Sequence, residues 1–186
     1  MERDYGVWKF SGKEKAKLIL SYLGLCGLVS WLFYHSFWAV LPFLAGLPVF
    51  LKKSREKRIK ERREELLTEF LTGIRAIASA LDAGYSMENA LGEALKETEK
   101  VYGMDGVFTE ELREMERKRN LNQSMETLWA DLGKRSGLED IENFGEIFQV
   151  ARRSGGNLKE IIHSTADNIT RKTETRREIE ISLAAK

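Results

Sequence analysis

The chain has 186 residues, 30 of them basic and 29 acidic, and its formal charge of +1 conceals a division. Residues 1–63 hold 13 basic and 5 acidic side chains, net +8, whereas residues 64–186 hold 17 and 24, net −7. The acidic majority argues against nucleic acid as the main partner, because phosphate binding needs a positive face, and the single cysteine, Cys26, leaves no disulfide framework or thiolate metal site.

Residues 1–17 form a basic N-terminal segment with Lys9, Lys13, Lys15 and Lys17. From Leu18 to Leu51 the chain is uncharged and mostly apolar for 34 residues, bounded by Lys17 and Lys52. About 20 residues cross a bilayer as helix, and one straight helix of this length would measure about 51 Å at about 1.5 Å per residue. The run therefore folds back or carries a long extension. Residues 52–63 form a second basic collar of Lys52, Lys53, Arg55, Lys57, Arg58, Lys60, Arg62 and Arg63, interrupted only by Glu56 and Glu61 among charged residues. Basic residues near span ends stay on the cytoplasmic side, so basic flanks at both ends favour a membrane hairpin over residues 18–51. Its arms would be Leu18 to Phe33 and Phe37 to Leu51, turning near Tyr34-His35-Ser36. Trp31, Phe33, Tyr34, Phe37 and Trp38 gather at that turn, as interfacial aromatics do. Pro42 and Pro48 are expected to kink the second arm. A single tilted span is the alternative. A cleaved signal peptide does not suit so long a run without an evident small-residue cleavage site.

Residues 64–186 read as helix throughout. The first helix runs from the collar to about Leu81. Leu66, Leu67, Phe70, Leu71, Ile74, Ile77, Ala78 and Leu81 make its apolar stripe, and Gly84 is a candidate left-handed cap. Ser86 caps a second helix, Met87 to about Val101. After a break at 103–106 a charged third helix spans about Thr109 to Arg119. Ser124 caps a fourth, with Met125, Leu128, Trp129 and Leu132 inward. Gly137 separates it from a fifth, whose stripe is Ile141, Phe144, Ile147, Phe148 and Ala151. Ser154-Gly155-Gly156 ends that helix. Asn157 caps a sixth, with Glu160 as its capping-box partner. Six helices with short connections predict an antiparallel bundle. The all-α expectation is thus an N-terminal transmembrane hairpin followed by a cytoplasmic six-helix bundle. Gly84-Tyr85-Ser86-Met87-Glu88 and Asn122-Gln123-Ser124-Met125-Glu126 echo one another, either as shared capping grammar or as internal duplication.

Catalytic chemistry finds little footing. His35 and His163 are the only histidines, and neither has a triad or zinc-site pattern around it. There is no phosphate-binding glycine loop of known spacing. Ser154-Gly155-Gly156-Asn157 at a helix start suits an anion or simply a tight turn. Glu139, Asp140, Glu142 and Glu146 suit a hard cation or a solvated acidic face. Arg152 and Arg153 suit a partner contact or the helix C-terminus. Trp129, Phe144 and Phe148 read as core. No catalytic, cofactor or metal residue is therefore assigned, and the protein is expected not to be an enzyme. A membrane enzyme would have only His35, Ser21, Ser30 and Ser36 to work with in the hairpin.

Phe70, Leu71, Ile74 and Leu81 followed by Ala80-Leu81-Asp82-Ala83-Gly84-Tyr85-Ser86-Met87-Glu88-Asn89-Ala90-Leu91 resemble the F domain of type II secretion and Tad pilus systems. So does Phe148-Gln149-Val150-Ala151-Arg152-Arg153-Ser154-Gly155-Gly156-Asn157-Leu158-Lys159-Glu160-Ile161-Ile162. The spacing of these blocks, with Met125 to Trp129 between them, is similar to the Tad branch (TadB and TadC), over about residues 60–186. The resemblance implies a non-enzymatic platform protein of the inner membrane, its bundle facing the cytoplasm. It also implies coupling of a secretion ATPase to the assembly of pilin or pseudopilin subunits. Membrane lipids and further copies of the chain are implied partners, with no cofactor. The loop Gly84, Tyr85, Ser86 and the turn Arg152, Arg153, Gly155, Gly156, Asn157 are the signature positions and candidate partner contacts. Such proteins usually continue into further C-terminal spans, which are not seen before Lys186. The competing reading is a membrane-anchored scaffold or signalling bundle without a secretion role.

Overall fold

A computed structural model describes residues 4–8, 10–34, 46–154 and 157–184. Among these the chain is all-helical, with seven α-helices and no strand. They are α1 (Gly12–Tyr34), α2 (Leu47–Asp82), α3 (Met87–Tyr102), α4 (Val107–Asn120), α5 (Met125–Ser136), α6 (Glu139–Ser154) and α7 (Leu158–Ala184). The chain divides into two units, one of residues 6–61 and one formed by the first five residues with residues 62–186.

In the smaller unit, Ser11 and Glu14 open α1. The Ser11 N–H donates to the Glu14 carboxylate at 3.0 Å, at the capping-box spacing. The Tyr22 ring of α1 lies 4.9 Å from the Phe50 ring of α2. Pro48 does not kink an arm. It is the second residue of α2, in the first turn, where a missing N–H breaks no intrahelical bond. The expected turn at His35-Ser36, Pro42 and most of the second arm lie outside the described residues. Among the described residues no helix is long and apolar enough to cross a membrane.

The larger unit is built around an aromatic centre. Phe70 of α2, Phe108 of α4, Trp129 of α5 and Phe144 and Phe148 of α6 are all fully buried. Trp129 stands edge-on to Phe144 at 4.9 Å, and Phe70 stands edge-on to Phe108 and Phe144 at 5.3 and 5.6 Å, the geometry that ring quadrupoles prefer. The expected stripes of α2 and α5 face this core. One position departs: Ile147 of α6 is exposed. Ile141, Phe144, Phe148 and Ala151 already form the buried stripe of α6, and Ile147 falls on its flank.

Two buried carboxylates escaped the periodicity. Glu69 of α2 accepts the Phe108 N–H at 2.8 Å, supplying an acceptor at the start of α4 where the N-cap, Gly106, has no side chain. Glu111 of α4 is the second, paired with Arg135 at 2.8 Å.

The α5–α6 pair is close because two glycines permit it. A Cβ on Gly145 would lie 2.9 Å from the Trp129 carbonyl oxygen, and one on Gly133 would lie 2.9 Å from the Glu142 Cα. Both neighbours are main chain and cannot swing away. Gly145→Ala is therefore expected to lose about 1–3 kcal/mol through overpacking, against a helix-propensity gain of only about 1 kcal/mol. Gly92→Ala in α3 is the control, because its Cβ would meet only a side-chain end, the Glu116 carboxylate, at 3.1 Å. Thermal unfolding should rank Gly92→Ala at or above the parent and Gly145→Ala below it. The reverse order would refute the close approach.

Candidate functional site

The loop after α2 is set by its backbone. Gly84 has φ +87°, a left-handed conformation that side chains resist. The Tyr85 N–H reaches the Ala80 carbonyl at 3.0 Å and the Gly84 N–H reaches Leu81 at 3.1 Å, the paired bonds of a Schellman ending. Ser86 then caps α3, its hydroxyl accepting the Asn89 N–H at 3.3 Å. The α4–α5 corner repeats this arrangement. Asn122 has φ +65°, Gln123 bonds back to Lys118 at 3.1 Å, and Ser124 accepts the Thr127 N–H at 3.3 Å. The sequence echo is thus an echo of conformation, with Met87 and Met125 both buried as the first helical residues.

Both corners place a glutamate next, and both glutamates meet one arginine. Arg152, on the last turn of α6, holds Glu88 through Nη2 at 3.2 Å and Glu126 through Nε at 3.3 Å. On the far side of the turn, α7 reaches the same loop. Lys159 Nζ lies 2.7 Å from the Asp82 carboxylate, and His163 Nε2 lies 3.1 Å from it. Asn157 caps α7, accepting the Glu160 N–H at 3.4 Å. Tyr85 stands 49% exposed. It lines two clefts, one between α2 and α3 of about 490 Å³ and one between α3 and α4 of about 330 Å³. Arg153 is exposed, and Gly155 and Gly156 lie outside the described residues.

The electrostatics follow from these contacts. Hydrogen bonds from Lys159 and then His163 hold the Asp82 carboxyl below its ordinary range. Glu88 is lowered first by its own N–H at the helix start and further by Arg152. Lys159→Met is expected to raise the Asp82 titration midpoint toward the ordinary value of 3.8. A carboxyl-carbon NMR titration reads this, and an unmoved midpoint would remove Lys159 as the main cause. The acidic face at Glu139 and Asp140 is answered from α7, where Lys172 Nζ lies 2.7 Å from Asp140 and 3.9 Å from Glu139. Among the described residues no group of three His, Cys, Asp or Glu is placed to hold a metal ion.

The sequence marked both turns but not that they meet. Its one available signal was the repeated Ser-Met-Glu, which puts a carboxylate at the same step of two helices. Together the turns make a charge-bridged surface with a half-exposed aromatic, an arrangement suited to recognising a partner.

Comparison with known proteins gives a family. The profile of the type II secretion system protein F family matches residues 74–185. No curated protein and no solved structure matches the chain. The matched stretch takes in both turns, every bond between them and more than half of the residues. The chain therefore belongs to the type II secretion system protein F family.

Proposed function

We propose that this protein is a non-enzymatic inner-membrane platform of the Tad pilus branch, coupling a cytoplasmic secretion ATPase to pilin assembly. The observation that carries the reading is the union of the two signature turns, within the family-matched stretch, into one surface. In this reading residues 18–51 form a membrane hairpin, and the helical domain from residue 64 onward faces the cytoplasm as a six-helix bundle. Two contacts support the hairpin. Tyr22 meets Phe50 across the apolar run. Tyr5, which precedes the run, is bonded to α4 and α5, which follow it.

The test is affinity purification of the tagged chain from its native membranes. The parent is expected to bring down a secretion ATPase or a pilin. Arg152 is committed to Glu88 and Glu126, so Arg152→Glu alters the fold of the site as well as its surface. The contact is therefore read with Arg153→Glu, which is expected to lose the partner while leaving the circular dichroism spectrum unchanged. Recovery of neither partner, from membranes expressing both, would leave a membrane-anchored scaffold without a secretion role.

A further inference from the structure

The smaller unit has an excess of charge that its own acids do not neutralise. Residues 12–61 contain nine basic and three acidic side chains, net +6. All three acids are already engaged. Glu14 caps α1, Glu56 pairs with Lys52 at 4.0 Å, and Glu61 pairs with Lys57 and Arg58 at 3.7 Å. The basic residues come from two stretches separated by the whole apolar run, yet the contact of Tyr22 with Phe50 brings those stretches together. Lys17 is about 7.5 Å along α1 from Tyr22, and Lys52 is about 3 Å along α2 from Phe50. This inter-helix contact thus lies near the inner end of each basic flank.

Beside these flanks lies uncovered apolar surface. Leu20, Leu25 and Leu28 of α1 and Val49 of α2 are all more than half exposed. Exposed apolar side chains beside a basic flank suit a cover that is apolar on one side and anionic on the other. A cover that is apolar next to the leucines and anionic next to the lysines has the chemistry of an anionic phospholipid.

We infer that Lys13, Lys15 and Lys17 of α1, with Lys52, Lys53 and Arg55 of α2, form one binding site for anionic phospholipid headgroups. The acyl chains lie against the exposed face of α1. This inference rests on the membrane part of the reading above and not on the secretion partner. Two flanks converging on one headgroup select charge, where an apolar helix alone would accept any lipid.

The experiment uses the full chain in an uncharged detergent. Short-chain phosphatidylglycerol and phosphatidylcholine of equal chain length are titrated, and bound lipids are counted by native mass spectrometry. Phosphatidylglycerol is expected to bind at least about tenfold more tightly, as about 1 kcal/mol or more of charge attraction gives. Lys13→Gln/Lys15→Gln/Lys17→Gln and Lys52→Gln/Lys53→Gln/Arg55→Gln should each suffer, because either flank alone is half a site. Tyr22→Ala, which removes no charge, should also weaken the anionic lipid by separating the flanks. Equal binding of the two lipids would overturn the inference, as would a loss confined to one flank. Displacement by inorganic phosphate would make the site a phosphate site, and tighter binding of polyglutamate would make it a protein site. Either would overturn it. Failure of the co-purification above leaves this result untouched, and equal lipid binding leaves the platform reading standing.

Discussion

Trp129→Ala is expected to cost about 3–5 kcal/mol, the range for deleting a large buried aromatic. Trp129 is fully buried, and its ring meets Phe70, Phe108, Phe144 and Phe148 at 4.9 to 6.4 Å. Four helices meet on this one side chain, and removing it leaves a cavity that Gly133 and Gly145 cannot fill. Domains of ordinary stability hold only about 5–15 kcal/mol, so the variant should sit near its unfolding threshold. Trp129→Phe is the informative companion. Among the described residues the indole N–H finds no hydrogen-bond acceptor. Phenylalanine therefore sacrifices volume but no bond, and relieves a buried donor of its desolvation cost. Its loss should be well under half that of the alanine variant. Thermal unfolding followed by circular dichroism measures both. An alanine variant within about 1 kcal/mol of the parent would mean that the aromatic centre is not the stabilising core.

Arg135→Met is the second large effect, also expected at about 3–5 kcal/mol, because it strands a buried carboxylate. Glu111 is 6% exposed. Arg135 holds it with two bonds, at 3.1 and 2.8 Å, and uses Nε on Asp131 at 2.8 Å. Burial works against the Arg135 charge, but its bonds to Glu111 and then Asp131 outweigh this and raise its pKa above the ordinary guanidinium value. Into this pair comes Tyr5, from the far end of the sequence. Its hydroxyl donates to Glu111 at 2.8 Å, and its N–H donates to the Arg135 carbonyl at 3.0 Å. Glu111→Leu combined with Arg135→Met should recover most of the loss, because a matched apolar pair removes both charges together.

Tyr5→Phe should cost less, about 1.5–3 kcal/mol, the value of a hydrogen bond to a charged acceptor. It should also change the response to alkali. Burial and the Glu111 charge raise the Tyr5 phenol well above its ordinary value of 10.0. A raised phenol means that the folded state holds the proton more tightly. That stability is fully present below about pH 10 and is lost as pH rises beyond the unfolded value. The parent should therefore lose stability more steeply than Tyr5→Phe above about pH 10. Parallel slopes would show that Tyr5 is not buried against Glu111.

Much of the helical order was legible because its signals are local. Ser86, Ser124 and Asn157 cap the helices they were expected to cap, and Gly84 ends α2 in a left-handed turn. What stayed hidden was of two kinds. Where every residue is apolar, as before Lys52, periodicity gives no boundary, so the start of α2 at Leu47 was not visible. Where a contact spans the chain, the local pattern does not hold it. Tyr5 and Glu111 are 106 residues apart, and no local signal marks Glu69 or Glu111 as buried. The candidate site divides in the same way. A stripe tells which face of a helix is buried but not which helix it faces, so both turns could be marked while Arg152–Glu88 and Lys159–Asp82 could not.

The bonds joining those turns differ in kind from the core they border. Arg152, Glu88, Lys159 and Asp82 are each 39–50% exposed, so water and salt reach every link. Amide protons at the start of α3 and α7 should therefore exchange through local opening, and faster as ionic strength rises, while those around Trp129 wait for global unfolding. The two turns are thus fastened by contacts that salt can loosen while the core stays packed.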